Sequence, residues 1–101
     1  MNNTKWKELR DYFYNLEISD EYNHILISYN TKTFDGYIAG EDVCWEHLEN
    51  DLFKDIEWLY IVLTKGNKEL VLKGLRKIHV PGEIKGDKLY IYGYKNDIEY
   101  L

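Results

Sequence analysis

The residues best suited to chemistry in this chain are one cysteine and three histidines. Cys44 and His47 stand three positions apart, whereas His24 and His79 lie elsewhere in the sequence. A structural zinc site ordinarily takes four ligands, supplied as two close pairs. The chain supplies a single close pair. The sequence therefore predicts no metal site and no cofactor.

Catalysis by a nucleophile or by paired acids is also disfavoured. A reactive cysteine needs a positioned base and an electropositive setting that lowers its pKa, but acidic neighbours would raise the pKa of Cys44. Pairs of carboxylates are present, yet 101 residues leave little room for a sugar cleft between them. The sequence predicts that the protein is not an enzyme. The alternative is a small enzyme or ligand-binding domain with a pocket near His24, Cys44 and His47.

Negative charge is concentrated between residues 41 and 57. This segment holds seven acidic residues and one lysine, a net charge of −6, while the whole chain carries −5. Acids interleaved with aromatic residues suit an interface with a basic protein partner, although a charged run is often only a solvated connection. The residues predicted to bind the partner are Tyr37, Asp42, Trp45, Glu46, Glu49, Asp51 and Asp55.

Composition excludes several other classes of function. The net charge of −5 argues against binding to nucleic acid, whose phosphates need a positive surface. The longest apolar run has six residues, far fewer than the roughly 20 of a membrane helix. The N-terminus has no apolar signal-peptide core, and a single cysteine fits a reducing compartment. We therefore expect a cytoplasmic protein without membrane or nucleic-acid partners.

One strand pattern would suit base stacking. Tyr90, Tyr92 and Tyr94 alternate along a predicted strand with lysines nearby, and exposed aromatics on a sheet stack nucleobases. Because the acidic chain as a whole would repel a phosphate backbone, the sequence favours packing of this face under a helix or against a protein.

Hydrophobic periodicity predicts a single α+β domain over residues 1–101. One helix is expected to begin after Thr4, which is its predicted N-cap, and a second is expected over residues 68–77. Strands are expected over residues 23–34, 37–40, 57–64, 83–85 and 89–94. The order α-β-β-β-α-β-β indicates a mostly antiparallel sheet of about five strands with both helices on one face. Trp6, Phe13, Leu70 and Leu75 would then share one core with the sheet.

Several details follow from the same pattern. Asp35-Gly36 predicts a hairpin turn, and Gly74 predicts a close packing contact inside the second helix. Strand 57–64 is apolar on both faces, which is typical of a central strand covered on both sides. Strand 89–94 is expected to be an exposed edge, which would allow a homodimer. Residues 43–48 fit either a short helical turn or an ordered loop, and residues 95–101 are expected to dock on the sheet.

The chain resembles a family of small uncharacterised bacterial proteins. The similarity is carried by Asn3–Trp6, Trp45–His47, Lys54–Leu59, Lys77–Ile84 and Tyr92–Tyr100. The family has no established catalytic residues, so the resemblance assigns no role to any position. In general character, being small, acidic and free of catalytic motifs, the chain also resembles immunity proteins, which neutralise toxins that include basic nucleases. The leading hypothesis is a non-enzymatic module that binds a basic protein, such as a toxin domain.

Overall fold

A computed structural model describes residues 1–94 of the chain. The two helices and five strands are α1 Asn3–Ile18, β1 Tyr29–Thr33, β2 Ile38–Asp42, β3 Ile56–Val62, α2 Lys68–Ile78, β4 Gly82–Lys85 and β5 Lys88–Tyr92. Two short 3-10 helices, Trp45–His47 and Asn50–Asp55, connect β2 to β3. The predicted α+β class and the order of the main elements are confirmed.

The five strands form one antiparallel sheet in the order β2-β1-β3-β5-β4. β3 is the central strand, as its composition predicts. β5 lies between β3 and β4 and is hydrogen-bonded on both sides, so the expectation that strand 89–94 forms an exposed edge is wrong. The edges are β2 and β4, and the basis for a homodimer through β5 is lost.

Both helices pack on one face of the sheet and form a single core. From α1 and α2 the core takes Trp6, Leu9, Phe13, Val71 and Leu75, and from β3 and β5 it takes Leu59, Ile61, Leu89 and Ile91. The predicted meeting of Trp6, Phe13 and Leu75 with the sheet is confirmed, whereas Leu70 is only half-buried.

The other face of the sheet carries aromatic residues in place of a second layer. The rings of Trp58, Tyr60 and Tyr90 are half-buried, with centroids 5.3–5.6 Å apart. Lys88 lies over Tyr60 at 5.0 Å, and Lys85 lies over Tyr90 at 5.5 Å. Within residues 1–94 no helix covers these rings, so the expected covering of β3 on both faces is wrong. For the tyrosine face of β5, packing under a helix is likewise wrong, and packing against another protein stays a prediction. Large rings and lysine stems shield one another here.

Gly74 lets the two helices approach closely. A Cβ atom at this position would lie 2.1 Å from Cε2 of Tyr12. The Tyr12 hydroxyl donates a hydrogen bond of 2.7 Å to the Leu70 carbonyl, which holds the ring against α2. The predicted close contact at Gly74 is confirmed.

Element boundaries differ from the predicted ones where side chains replace backbone partners. The N-cap of α1 is Asn2 rather than Thr4, because the Asn2 side chain accepts a hydrogen bond of 2.8 Å from the Lys5 amide. β1 begins only at Tyr29, and upstream of it the Ile27 carbonyl accepts a hydrogen bond from the Trp45 indole. The expected docking of residues 95–101 lies outside the described residues.

Two buried tyrosines link the stability of the fold to alkaline pH. Burial raises the pKa of Tyr29, whose hydroxyl donates to the Cys44 carbonyl at 3.0 Å. Burial, followed by the hydrogen bond donated to Glu83, raises the pKa of Tyr92 to about 12. Both groups thus hold their protons in the folded state above the ordinary tyrosine pKa of about 10.

We expect stability to fall as the pH rises from about 10 towards 12, because the unfolded state loses these protons first. Below the unfolded pKa both states are protonated, and the two tyrosines contribute in full. Urea midpoints measured across this window should fall less steeply in a Tyr29→Phe/Tyr92→Phe variant. The control is Tyr37→Phe, which alters an exposed tyrosine. If the urea midpoint fell equally steeply with pH in the wild type and the double variant, Tyr29 and Tyr92 would not be the cause of the loss of stability.

Candidate partner-binding surface

The acidic segment between β2 and β3 is held to the core by apolar side chains. Trp45, Leu48 and Phe53 are buried at or beside the two 3-10 helices. Of the two alternatives for residues 43–48, the short helical turn is confirmed as the 3-10 helix Trp45–His47. The second 3-10 helix follows it at Asn50–Asp55. Between these buried residues the chain exposes the carboxylates of Glu46, Glu49, Asp51 and Asp55, while Asp42 is half-buried.

Trp45 is a core residue, so its predicted role as a surface anchor is wrong. Its side chain is 1% exposed, and its ring lies 4.4 Å from Phe13 and 4.2 Å from Tyr29 between centroids. The indole Nε1 donates a hydrogen bond of 3.0 Å to the Ile27 carbonyl. Trp45 packs inward because only there do its large apolar surface and its indole donor both find partners.

Tyr37, in contrast, is 68% exposed and lies in a cleft of about 490 Å³. The cleft is lined by Thr33, Phe34, Asp35, Tyr37, Leu52 and Asp55. Phe34 and Leu52 are 54% and 43% exposed, so the cleft presents three large apolar side chains to solvent. We call it the turn cleft, because it lies where the β1–β2 turn meets the second 3-10 helix.

The backbone holds the two sides of the turn cleft together. The Phe34 amide donates a hydrogen bond of 3.1 Å to the Asp55 carbonyl. Asp35 accepts a hydrogen bond of 3.1 Å from the Tyr37 amide, and Gly36 completes the predicted turn with a φ of 90°. The structure thus brings Tyr37 and Asp55 together as predicted site residues. It adds Phe34 and Leu52, which were missed, although the aromatic residues on both sides of Asp35-Gly36 were a visible signal.

Two of the carboxylates are held ionised by local hydrogen bonds. The Thr33 hydroxyl, and then the Tyr37 amide, lower the pKa of Asp35. Burial by itself would raise the pKa of Asp42, but hydrogen bonds from the Cys44 amide and from His47 outweigh burial and lower it. The Asp42 carboxylate is thereby engaged within the protein, which distinguishes it from the other predicted site residues.

The exposed carboxylates of the acidic segment are available to a partner. Within residues 1–94, Glu46, Glu49, Asp51 and Asp55 form no ion pair. Arg10 reaches the segment through the Leu48 carbonyl at 3.4 Å and the Asn50 side-chain oxygen at 2.7 Å rather than through a carboxylate. These four carboxylates are therefore not neutralised by an ion pair within the described residues.

The residues of the alternative pocket are only partly brought together. Ligand atoms of Cys44, Glu46 and His47 lie within 4.8 Å of one another, and His24 is not part of that group. Glu17 and then Glu46 add to the effect of burial in raising the pKa of the Cys44 thiol, which opposes its use as a nucleophile.

Within residues 1–94, no helix is long and apolar enough to cross a membrane.

Comparison with known proteins identifies the family of the chain and no individual relative. No curated protein and no solved structure matches the chain significantly. The sequence model of DUF6678, a family of unknown function, matches residues 1–98, which confirms the resemblance to a small uncharacterised family. The chain therefore belongs to the family of unknown function DUF6678.

Proposed function

We propose that this protein is a non-enzymatic module that binds a basic protein partner through the turn cleft and the acidic surface beside it. The observation that carries the proposal is the exposure of Phe34, Tyr37 and Leu52 between Asp35 and Asp55. Aromatic side chains surrounded by charged groups are typical of the centres of protein interfaces.

The chemistry of the turn cleft suits an arginine or lysine side chain of the partner. The apolar stem of such a side chain packs on aromatic and aliphatic surface, and its cation sits over a ring or against a carboxylate. Phe34, Tyr37 and Leu52 offer the apolar walls, while Asp35 and Asp55 offer the carboxylates. Glu49 and Asp51, outside the cleft, extend the field that attracts a basic surface.

Two further apolar side chains are exposed at the ends of the edge strand β2. Ile38 is 58% exposed at the start of this strand, and Val43 follows its end and is also exposed. One side of β2 pairs with β1 and the other is an edge of the sheet. Exposed apolar residues beside a free sheet edge favour contact with another protein.

A toxin domain is the partner class that we propose. An acidic surface can occupy the basic nucleic-acid site of a nuclease and block it without any chemistry of its own. This mode needs only charge, shape and apolar contact, which the turn cleft and its surroundings combine. It agrees with the general resemblance to immunity proteins and with the cytoplasmic location expected from the sequence.

The proposal predicts charge-dependent association. In Glu49→Lys/Asp51→Lys/Asp55→Lys, we expect association with the partner to slow by at least tenfold at low salt and to depend less on salt. The partner is first captured from the native cell by a photo-crosslinking residue at position 37, with position 73 on α2 as the reference site. A Tyr37→Ala variant should weaken binding by about 30-fold, as expected for a central anchor.

The control is a variant with the same change in charge at exposed sites outside the acidic surface. It carries Glu8→Lys, Glu21→Lys and Asp87→Lys. Equal association rates for the two triple variants would show that the acidic surface is not the site. A crosslinked partner no more abundant from position 37 than from position 73 would refute the turn cleft as the contact.

A further inference from the structure

The 3-10 turn Trp45–His47 and its N-cap Cys44 bring three different types of metal ligand close together. The Cys44 sulfur lies 3.8 Å from Oε1 of Glu46, and these atoms and a ring nitrogen of His47 lie within 4.8 Å of one another. The His47 amide donates a hydrogen bond of 3.2 Å to the Cys44 carbonyl. Cys44 is the N-cap of this 3-10 turn, and its side chain lies close to that of His47.

Asp42 orients the imidazole of His47. Its Oδ2 lies 2.8 Å from Nδ1 of His47, and since an ionised carboxylate only accepts hydrogen bonds, Nδ1 carries the proton. Nε2 is then the nitrogen that can bind a metal. The other oxygen, Oδ1, accepts a hydrogen bond of 2.8 Å from the Cys44 amide. A carboxylate behind a ligand histidine is the usual support of zinc sites.

Glu17 of α1 supports this turn without belonging to the ligand group. Its Oε2 lies 3.9 Å from the Cys44 sulfur, while its Oε1 accepts a hydrogen bond of 2.9 Å from the Trp45 amide. The ligand atoms that lie within 4.8 Å of one another belong to Cys44, Glu46 and His47. Zn–S and Zn–O bonds in a tetrahedral site place the sulfur and oxygen about 3.5 Å apart, so the distance of 3.8 Å between the Cys44 sulfur and Glu46 closes to that value by a few tenths of an ångström.

We propose that Cys44, Glu46 and His47 bind one Zn²⁺ ion, with a water molecule as the fourth ligand of a tetrahedral site. Thiolate and imidazole ligands favour zinc over Mg²⁺ and Ca²⁺, which take oxygen ligands only. Binding releases the thiol proton. The sequence predicted no metal site because a structural zinc site takes four protein ligands and only one close pair is visible in it; a site with three protein ligands needs only the turn that brings Glu46 to this pair.

Cobalt titration of the chelator-treated full-length protein tests the site. We expect one equivalent of Co²⁺ to bind, with a thiolate-to-cobalt charge-transfer band and the intense visible bands of a tetrahedral ion, and Zn²⁺ to displace it. Cys44→Ser should abolish the charge-transfer band and weaken binding at least tenfold. Glu17→Gln and Asp42→Asn should keep the band and weaken binding by roughly tenfold. Zinc should raise the melting temperature of the wild type and not that of Cys44→Ser.

His24→Ala is the matched control, because this exposed histidine lies outside the ligand group. It should bind Co²⁺ as the wild type does. Absence of the charge-transfer band in the wild type, or unchanged affinity in Cys44→Ser, would overturn the proposal. The test is independent of the proposed function, since none of Tyr37, Glu49, Asp51 and Asp55 is a ligand here.

Discussion

Replacing Trp45 by alanine is expected to lower the free energy of unfolding by about 3–5 kcal/mol, the range for deleting a large buried aromatic side chain. The change removes ring contacts with Phe13 and Tyr29 and leaves the Ile27 carbonyl without the indole donor. It also opens a cavity beneath the first 3-10 helix, where neighbouring side chains relax only in part. Equilibrium urea unfolding followed by far-ultraviolet circular dichroism measures the loss.

Trp58→Ala is the matched control, because it deletes the same side chain from the half-buried face of the sheet. We expect it to cost less than half as much as Trp45→Ala. Trp45→Phe should lie between wild type and Trp45→Ala, since it keeps an aromatic ring but loses the hydrogen bond to Ile27. A Trp45→Ala protein as stable as the wild type would show that Trp45 is not a core residue, and its predicted role as a surface anchor would stand again.

Replacing Gly93 by alanine is expected to lower the free energy of unfolding by about 3 kcal/mol. An added Cβ would lie 2.1 Å from the Ile56 carbonyl oxygen, which is a backbone atom and cannot turn aside as a side chain can. The Gly93 amide donates a hydrogen bond of 2.9 Å to the Glu57 carbonyl, so relief of the clash would stretch this contact between the end of β5 and the start of β3.

Gly40→Ala provides the comparison for this prediction. A Cβ at Gly40 would meet nothing within 4 Å, and the residue lies on the edge strand β2. We expect its stability to stay within about 0.5 kcal/mol of wild type. Urea unfolding of both variants under one condition separates steric overlap from the general effect of replacing a glycine. Equal stabilities for Gly40→Ala and Gly93→Ala would refute the close approach of β5 to β3.

Local signals predicted the parts of the fold that depend on neighbouring residues. The Asp35-Gly36 turn, the amphipathic pattern of α1 and α2, and the β4–β5 hairpin need only a few adjacent side chains to be recognised. The start of β1 was placed too early; just before it, the Ile27 carbonyl accepts a hydrogen bond from Trp45, which is 18 positions away. No local pattern reports a hydrogen bond between residues so far apart.

The candidate site was predicted in part for the same reason. The sequence identified the acidic segment and Tyr37, but it treated Trp45 as equally exposed. Acids surround Trp45 in the chain, yet the 3-10 turn directs its indole inward and Glu46 outward. Phe34 and Leu52 are 18 residues apart and become one cleft only when the β1–β2 turn meets the second 3-10 helix.

The sequence by itself determined the α+β class, the concentration of negative charge between residues 41 and 57, and the single close pair of Cys44 and His47. These properties depend on composition and on short spacings, which do not change when the chain folds. Only the tertiary structure decided which aromatic residues face solvent, that β5 lies inside the sheet, and that Glu17 reaches Cys44. The physical reason is that burial and long-range contacts arise from the packing of α1 and the 3-10 helices on the sheet, and no single segment encodes that packing.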